Sequence, residues 1–150
     1  MISTKGRYAL RLMIDIATYS NGKPVSLKDV SKRQDISIKY LEQVVSLLVK
    51  SRLLISVRGN TGGYILTKDI KNYNTFEILS AAEGTLAPVA CLQTDINICP
   101  RVSSCTTIDY WKGYYEVIKK YTEGISLEDL VDKEKNKMGN EYSIWVSLDF

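Results

Sequence analysis

The sequence predicts a mainly α chain: a winged helix-turn-helix domain with a β-hairpin wing, followed by a long C-terminal dimerisation helix. Three observations carry this. The stretches "VSLKDVSKRQDIS" and "SIKYLEQVVSLLVKSRLL" read as two helices about three residues apart, the outline of a helix-turn-helix. A glycine-rich hairpin, "LISVRGNTGGYIL", follows directly. From Thr107 to about Tyr121, Ile108, Trp111, Tyr115 and Ile118 recur at three-four spacing, a seam suited to pairing with another helix.

The elements follow in order. From Ser3 to about Tyr19, Ala9, Leu12, Met13, Ile16 and Ala17 recur with helical period until Asn21-Gly22 stops the pattern. Ser26 with Asp29 makes a capping-box-like start for a short second helix, with Leu27 and Val30 as its apolar stripe, ending near Gln34 or Asp35. Ser37 caps the third helix, in which Ile38, Leu41, Val45 and Leu48 form the stripe expected to be buried. Lys39, Glu42, Gln43, Ser46 and Lys50 face outward. In the hairpin, β-favouring residues flank a tip from Arg58 to Gly63 that carries one exposed arginine. Asn74 to Ala82 reads as a further short helix, ended by Gly84. After the long helix, "ISLEDLV" is a capped short helix, followed by a charged stretch. A loosely alternating tail from Glu141 to Phe150, a strand or a disordered end, receives no function.

At 150 residues, with 45% hydrophobic and 25% charged side chains, the chain can bury one compact core. Its charge is uneven. Residues 1–70 carry twelve Lys and Arg against five acids, a net of +7; residues 71–150 carry eight against twelve, a net of −4. Such a split suits a basic half that meets a polyanion. The absence of histidine removes Ser-His-Asp triads, HExxH zinc sites and imidazole proton shuttles. No GxGxxG or GxxxxGK loop is present; lysine, carboxylate and cysteine enzymes remain, but a cysteine nucleophile without histidine would need a lysine or a helix dipole and no pocket signature supports one, so the reading is not an enzyme.

The first seventeen residues have basic positions before apolar ones, but Asp15 interrupts them and no small-residue cleavage site follows. No run approaches the roughly 18 apolar residues that span a bilayer. The expectation is a cytoplasmic protein with no membrane partner. There thiols stay reduced, and clustered cysteines point to metal or redox chemistry. All three cysteines, Cys91, Cys99 and Cys105, lie within fifteen residues. Thiolates on one loop beside a helix N-terminus suit a bound metal group, a zinc site or a reactive thiol set.

"TKGRYALRLMIDIA", "ISIKYLEQVVSLLVKSRLLISVRGNTGGYIL" and "ISLEDLV" resemble the matching stretches of the IscR-type regulators. This is the Rrf-type winged-helix family, which also includes NsrR, RirA and CymR, and the resemblance covers roughly residues 1–132. It implies a homodimeric transcriptional regulator that binds double-stranded DNA. It also implies an iron-sulfur cluster on Cys91, Cys99 and Cys105, with 2Fe-2S ahead of 4Fe-4S, sensing iron-sulfur status, redox state or nitric oxide. The IscR type adds a histidine three residues after the last cysteine, where Ile108 stands here. The NsrR type adds a carboxylate near the partner's N-terminus, where Arg7 stands here. Seven residues separate Cys91 from Cys99, against five in either type. If Cys105 sits at the start of the long helix, Asp109, four residues on, projects from the same face and is the candidate fourth ligand. Asp95 and the hydroxyls of Ser103, Ser104 and Thr106 are weaker ones. The alternative within the family is a cluster-free, CymR-like regulator controlled by a protein partner.

The resulting division is a DNA-binding domain at 1–84, a cysteine-containing loop at 85–106, the dimerisation helix with the short helix at 107–132, and a tail at 133–150. Ser37, Lys39, Tyr40 and Gln43 are the side chains expected near phosphates and base edges in the major groove, Gln43 suiting adenine. Glu42 is expected to tune which sites are tolerated, and Arg58 to probe the minor groove.

Overall fold

The computed structural model describes residues 1–139. The expectation for Glu141 to Phe150 therefore lies outside the described residues. Within them no helix is long and apolar enough to cross a membrane.

Helix α1 spans Thr4–Tyr19, α2 spans Leu27–Gln34 and α3 spans Ile38–Lys50. Each begins on a serine whose hydroxyl accepts a first-turn backbone N–H: Ser3 from Lys5, Ser26 from Asp29, Ser37 from Tyr40. Ser26 also donates to the Asp29 carboxylate at 2.8 Å, so the first turn of α2 is held from both directions. Asp35 ends α2 in the left-handed region at φ 53, reversing the chain without a glycine. Ile36, 4% exposed, then drops into the core, and Ser37 opens α3.

Strands β1 (Leu54–Val57) and β2 (Gly63–Leu66) pair antiparallel with Leu54 opposite Leu66 and Val57 opposite Gly63. The wing does not stand alone. Val25, in the α1–α2 connection, exchanges both backbone hydrogen bonds with Tyr64, at 3.0 and 2.9 Å. Gly63 permits that approach, because a Cβ there would overlap the Val25 carbonyl oxygen. At the wing's base the buried Tyr73 hydroxyl donates to the Leu53 carbonyl (2.9 Å) and accepts the N–H groups of Thr67 (2.8 Å) and Lys68 (3.2 Å).

Helix α4, Thr75–Glu83, starts with a full capping box between Asn74 and Glu77 and ends at Gly84 with φ 83. Residues 85–107 are irregular apart from single turns at Ala90–Leu92 and Val102–Ser104. Helix α5 spans Ile108–Glu123 and α6 spans Leu127–Gly139. Leu127 and Val131, 0% and 1% exposed, join the core built by Leu12, Met13 and Ile16 of α1, Leu41 and Leu48 of α3, and Ile78 of α4. The start of α6 is tied to the start of α4: Thr75 N–H donates to the Ile125 carbonyl and Leu127 N–H to the Tyr73 carbonyl.

Three local expectations differ from the structure. Ile38, expected in the buried stripe of α3, is 43% exposed, and Val44 takes a fully buried place instead. Ile38 is the first residue of the helix, and its side chain leans toward the N-terminus, past the edge of the core. Helix α6 does not stop near residue 132 but runs to Gly139 through the charged stretch. Lys and Glu are good helix formers, and Asp129 and Lys133 sit at i, i+4. The stripe Ile108, Trp111, Tyr115 and Ile118 is buried or half-buried in its own chain rather than open.

Candidate functional site

The outward face of α3 presents Ser37, Lys39, Glu42 and Gln43, all exposed, and Arg58 is exposed on the wing. Tyr40 is different. It is half-buried, its ring edge-on to Tyr8 of α1 with centroids 5.2 Å apart and planes at 81°. Ser37 is likewise committed, since its hydroxyl accepts the Tyr40 N–H at 3.3 Å. Lys39, Glu42, Gln43 and Arg58 are thus the freest members of this surface.

Two polar clasps, both missed in the sequence, fix the helix-turn-helix from behind. Asp15, 1% exposed, receives Arg33 through Nη2 (2.7 Å) and Nε (3.0 Å), and the Gln34 amide donates to it at 2.9 Å. The Asp15 carboxylate raises the Arg33 guanidinium above its ordinary pKa by accepting those bonds, against partial burial that lowers it. Arg33 also lies over the Tyr19 ring, 4.1 Å from its centroid. Arg11 makes the second clasp, donating through Nε to Gln34 Oε1 at 3.1 Å and through Nη2 to the Gln34 carbonyl. The only sequence signal for the first is an acid inside the apolar stripe of α1.

Cys91, Cys99 and Cys105 are all half-buried on the segment joining α4 to α5. Cys91 sits in the turn Ala90–Leu92. Cys99 N–H donates to the Asn97 carboxamide oxygen at 2.9 Å, and its carbonyl accepts Val102 N–H. Cys105 follows the turn Val102–Ser104, with its sulfur 3.6 Å from the Thr107 hydroxyl. Hydrogen bonds from the Thr107 side chain and backbone lower the Cys105 thiol pKa, which favours the thiolate that metals bind.

The donor set suits a thiolate-ligated group in its chemistry. Asn97, whose carboxamide oxygen accepts the Cys99 N–H, has its Nδ2 buried without an acceptor, an N–H donor left over on the cysteine segment. As arranged, no group of three or more Cys, Asp or Glu side chains among the described residues could hold a metal ion. Asp109 is 93% exposed and lies 3.9 Å from Lys112, and Asp95 is exposed. Ile108, at the histidine place, is 8% exposed and packs inward.

Along α5 the exposed apolar side chains are Tyr110, Tyr114, Val117 and Tyr121, at spacings of four, three and four. That is the heptad step of a helix-pairing seam. It is offset from the stripe expected from the sequence, which the chain buries or half-buries.

Comparison with known proteins agrees with this architecture. The Rrf2 family model, described as an iron-dependent transcriptional regulator, matches residues 2–133. The HTH-type transcriptional regulator IscR of Xenorhabdus nematophila is 38% identical over 134 residues, covering 89% of this chain and 80% of that protein. Among solved structures, CymR, the global cysteine regulator of B. subtilis, superposes with a TM-score of 0.71 at 32% identity over 89% of this chain and 97% of that one. The T. potens IscR structure gives 0.67 at 29% identity over 98% and 93%. The three-helix core, the wing stitched to Val25 and the cysteine segment before a long helix are accordingly those of a winged-helix transcriptional regulator, not an enzyme, and the chain belongs to the Rrf2 family.

Proposed function

We propose that this protein acts in the cytoplasm as a homodimeric, DNA-binding regulator of the IscR type that senses iron-sulfur status, redox state or nitric oxide through Cys91, Cys99 and Cys105. The observation that carries the reading is that the chain's only three thiols lie half-buried on the one segment linking the DNA-reading unit to α5. Those three residues would hold an iron-sulfur cluster, 2Fe-2S before 4Fe-4S, with Asp109 as the candidate oxygen ligand. When bound, such a group supplies a redox-sensitive and ligand-sensitive centre.

The chain's own residues do the rest. Lys39 and the other basic residues of the first seventy neutralise phosphates, Gln43 reads a base edge, and Arg58 enters the minor groove. Two copies pair through Tyr110, Tyr114, Val117 and Tyr121, and that pairing fixes the spacing of the two α3 helices. A rearranged 85–106 segment changes the seat of α5 and therefore that spacing.

The test is oxygen-free purification with an absorption spectrum and iron and sulfide analysis. Coloured protein with equal iron and sulfide supports the reading. Colourless protein that still represses its promoter rejects it in favour of a partner-controlled, CymR-like regulator, and bound zinc in favour of a zinc or thiol sensor. Asp109→Ala should alter the spectrum or speed loss of iron; an unchanged spectrum and an unchanged rate remove Asp109 from the site.

A further inference from the structure

We propose that Glu83 is a positioning residue for DNA reading, fixing the N-terminal turn of α1 so that α1 seats the recognition helix. Glu83 is the last residue of α4 and half-buried. Its Oε1 accepts three donors from the start of α1: Ser3 N–H at 2.9 Å, the Ser3 hydroxyl at 2.8 Å and Gly6 N–H at 3.0 Å. A carboxylate suits this place, since it satisfies a first-turn donor and meets the positive end of the helix dipole. Gly6 is buried and makes room for it: a Cβ at Gly6 would overlap Glu83 Oε1 and crowd Ile2.

The held turn leads directly to the reading head. Tyr8, two residues beyond Gly6, packs edge-on against Tyr40 of α3. Arg11, one turn further, lies 5.4 Å from the Tyr8 ring centroid and holds Gln34, the last residue before the helix-turn-helix turn. Arg11 is thereby spent on protein groups. The first turns of α1 touch both the turn and the start of α3, and Glu83 sets where those turns sit.

Glu83 also stands at the root of the cysteine segment. Gly84 turns the chain, and Glu83, Leu86 and Pro88 line a cleft of about 520 Å³ with Ile2 of the N-terminus and Trp111 and Ile118 of α5. A shift of the segment's root or of α5 therefore works on the clasp and, through it, on Tyr8 and Tyr40. That last link rests on the cysteine segment being the sensor; the positioning role does not.

Three variants test it. Glu83→Ala removes the carboxylate, Gly6→Ala evicts it while leaving it in the chain, and Glu83→Gln keeps the Oε1 acceptor. Each protein is purified without oxygen, its iron content recorded, and its affinity measured at one salt concentration. The two probes are a duplex selected from a random library by the unaltered protein and a scrambled duplex. Glu83→Ala and Gly6→Ala should each lower the ratio of the two affinities about fivefold or more, and Glu83→Gln should hold it within about twofold. The double Gly6→Ala, Glu83→Ala protein should be no worse than the weaker single variant, because both break one clasp. Amide exchange at Ser3 and Gly6 should quicken in parallel. An unchanged ratio, or losses that add in the double variant, would overturn the proposal. If Glu83→Ala does not fold, Gly6→Ala and Ser3→Ala give the same decision. Protein without iron would count against the cluster reading and leave this one standing; an unchanged ratio in iron-containing protein would do the reverse.

Discussion

The carboxylate of Asp15, 1% exposed in the middle of α1, lies 2.7 Å from Nη2 of Arg33 in the last turn of α2. This pair ties the last turn of the second helix to the middle of the first. The partners are not equivalent: the Asp15 side chain has no exposure, whereas that of Arg33 keeps 29%.

Removing the cation should therefore be worse than neutralising the acid. Arg33→Ala leaves a buried carboxylate with only the Gln34 amide for company, a loss of up to about 3–5 kcal/mol. Asp15→Asn leaves a guanidinium that still reaches water and still stacks on Tyr19, and should cost less. Urea denaturation of the two variants checks the order; a larger loss in Asp15→Asn would contradict it.

What the sequence made legible was local. Ser26 and Ser37 are caps because each serves a backbone N–H within its own first turn, and Gly59 sits at φ 114 in the wing's own tip, whereas Gly63 is required by Val25, far along the chain. The clasps were not legible. Asp15 meets a residue 18 positions away and Glu83 one 80 positions away, and no periodicity reports such distances. The helical period located α5 but not which side the body would cover. Tyr110, Tyr114 and Tyr121 carry a hydroxyl each and do not stand out as an apolar stripe beside Ile108 and Ile118. For the cysteines, spacing brought the three thiols onto one segment, while the grouping of their sulfurs depends on how a largely irregular segment folds.

Tyr73 should prove to be the anchor of the wing. Its ring is 1% exposed and its hydroxyl meets Leu53, Thr67 and Lys68 on both strands' roots. Tyr73→Phe keeps the packing and strands those backbone groups, at a cost of about 1–3 kcal/mol. Chemical denaturation gives the magnitude. Faster amide exchange confined to 53–68 would confirm where it acts, whereas uniform acceleration would point to a global effect instead.

On DNA, Lys39 and Gln43 should separate by type of loss. Both are exposed on α3, but a lysine neutralises phosphate whatever the sequence, while a glutamine can hold an adenine edge with two bonds. Lys39→Ala should weaken all duplexes alike and reduce the salt slope by about 1. Gln43→Ala should cost about 1–3 kcal/mol on the preferred duplex alone. Glu42→Ala, by removing a carboxylate from the same face, should broaden the set of duplexes bound. Titrations at several salt concentrations, with a selected and a scrambled duplex, resolve all three.

The exposed seam of α5 gives the last prediction. Tyr110, Tyr114, Val117 and Tyr121 leave an apolar line in water on a helix whose other apolar side chains are buried or half-buried. Lone exposed apolar residues need no explanation, but four at heptad spacing form the kind of line that pairing helices bury. Val117→Glu places a charge at the centre of that line, where two copies would bring like charges together without solvent. The variant should sediment as a monomer, keep its helix content, and bind a two-half-site duplex far more weakly than the unaltered protein while binding a single half-site equally well. A variant that remains dimeric, or an unaltered protein that is already monomeric at micromolar concentration, would mean that the tyrosine line serves some other contact.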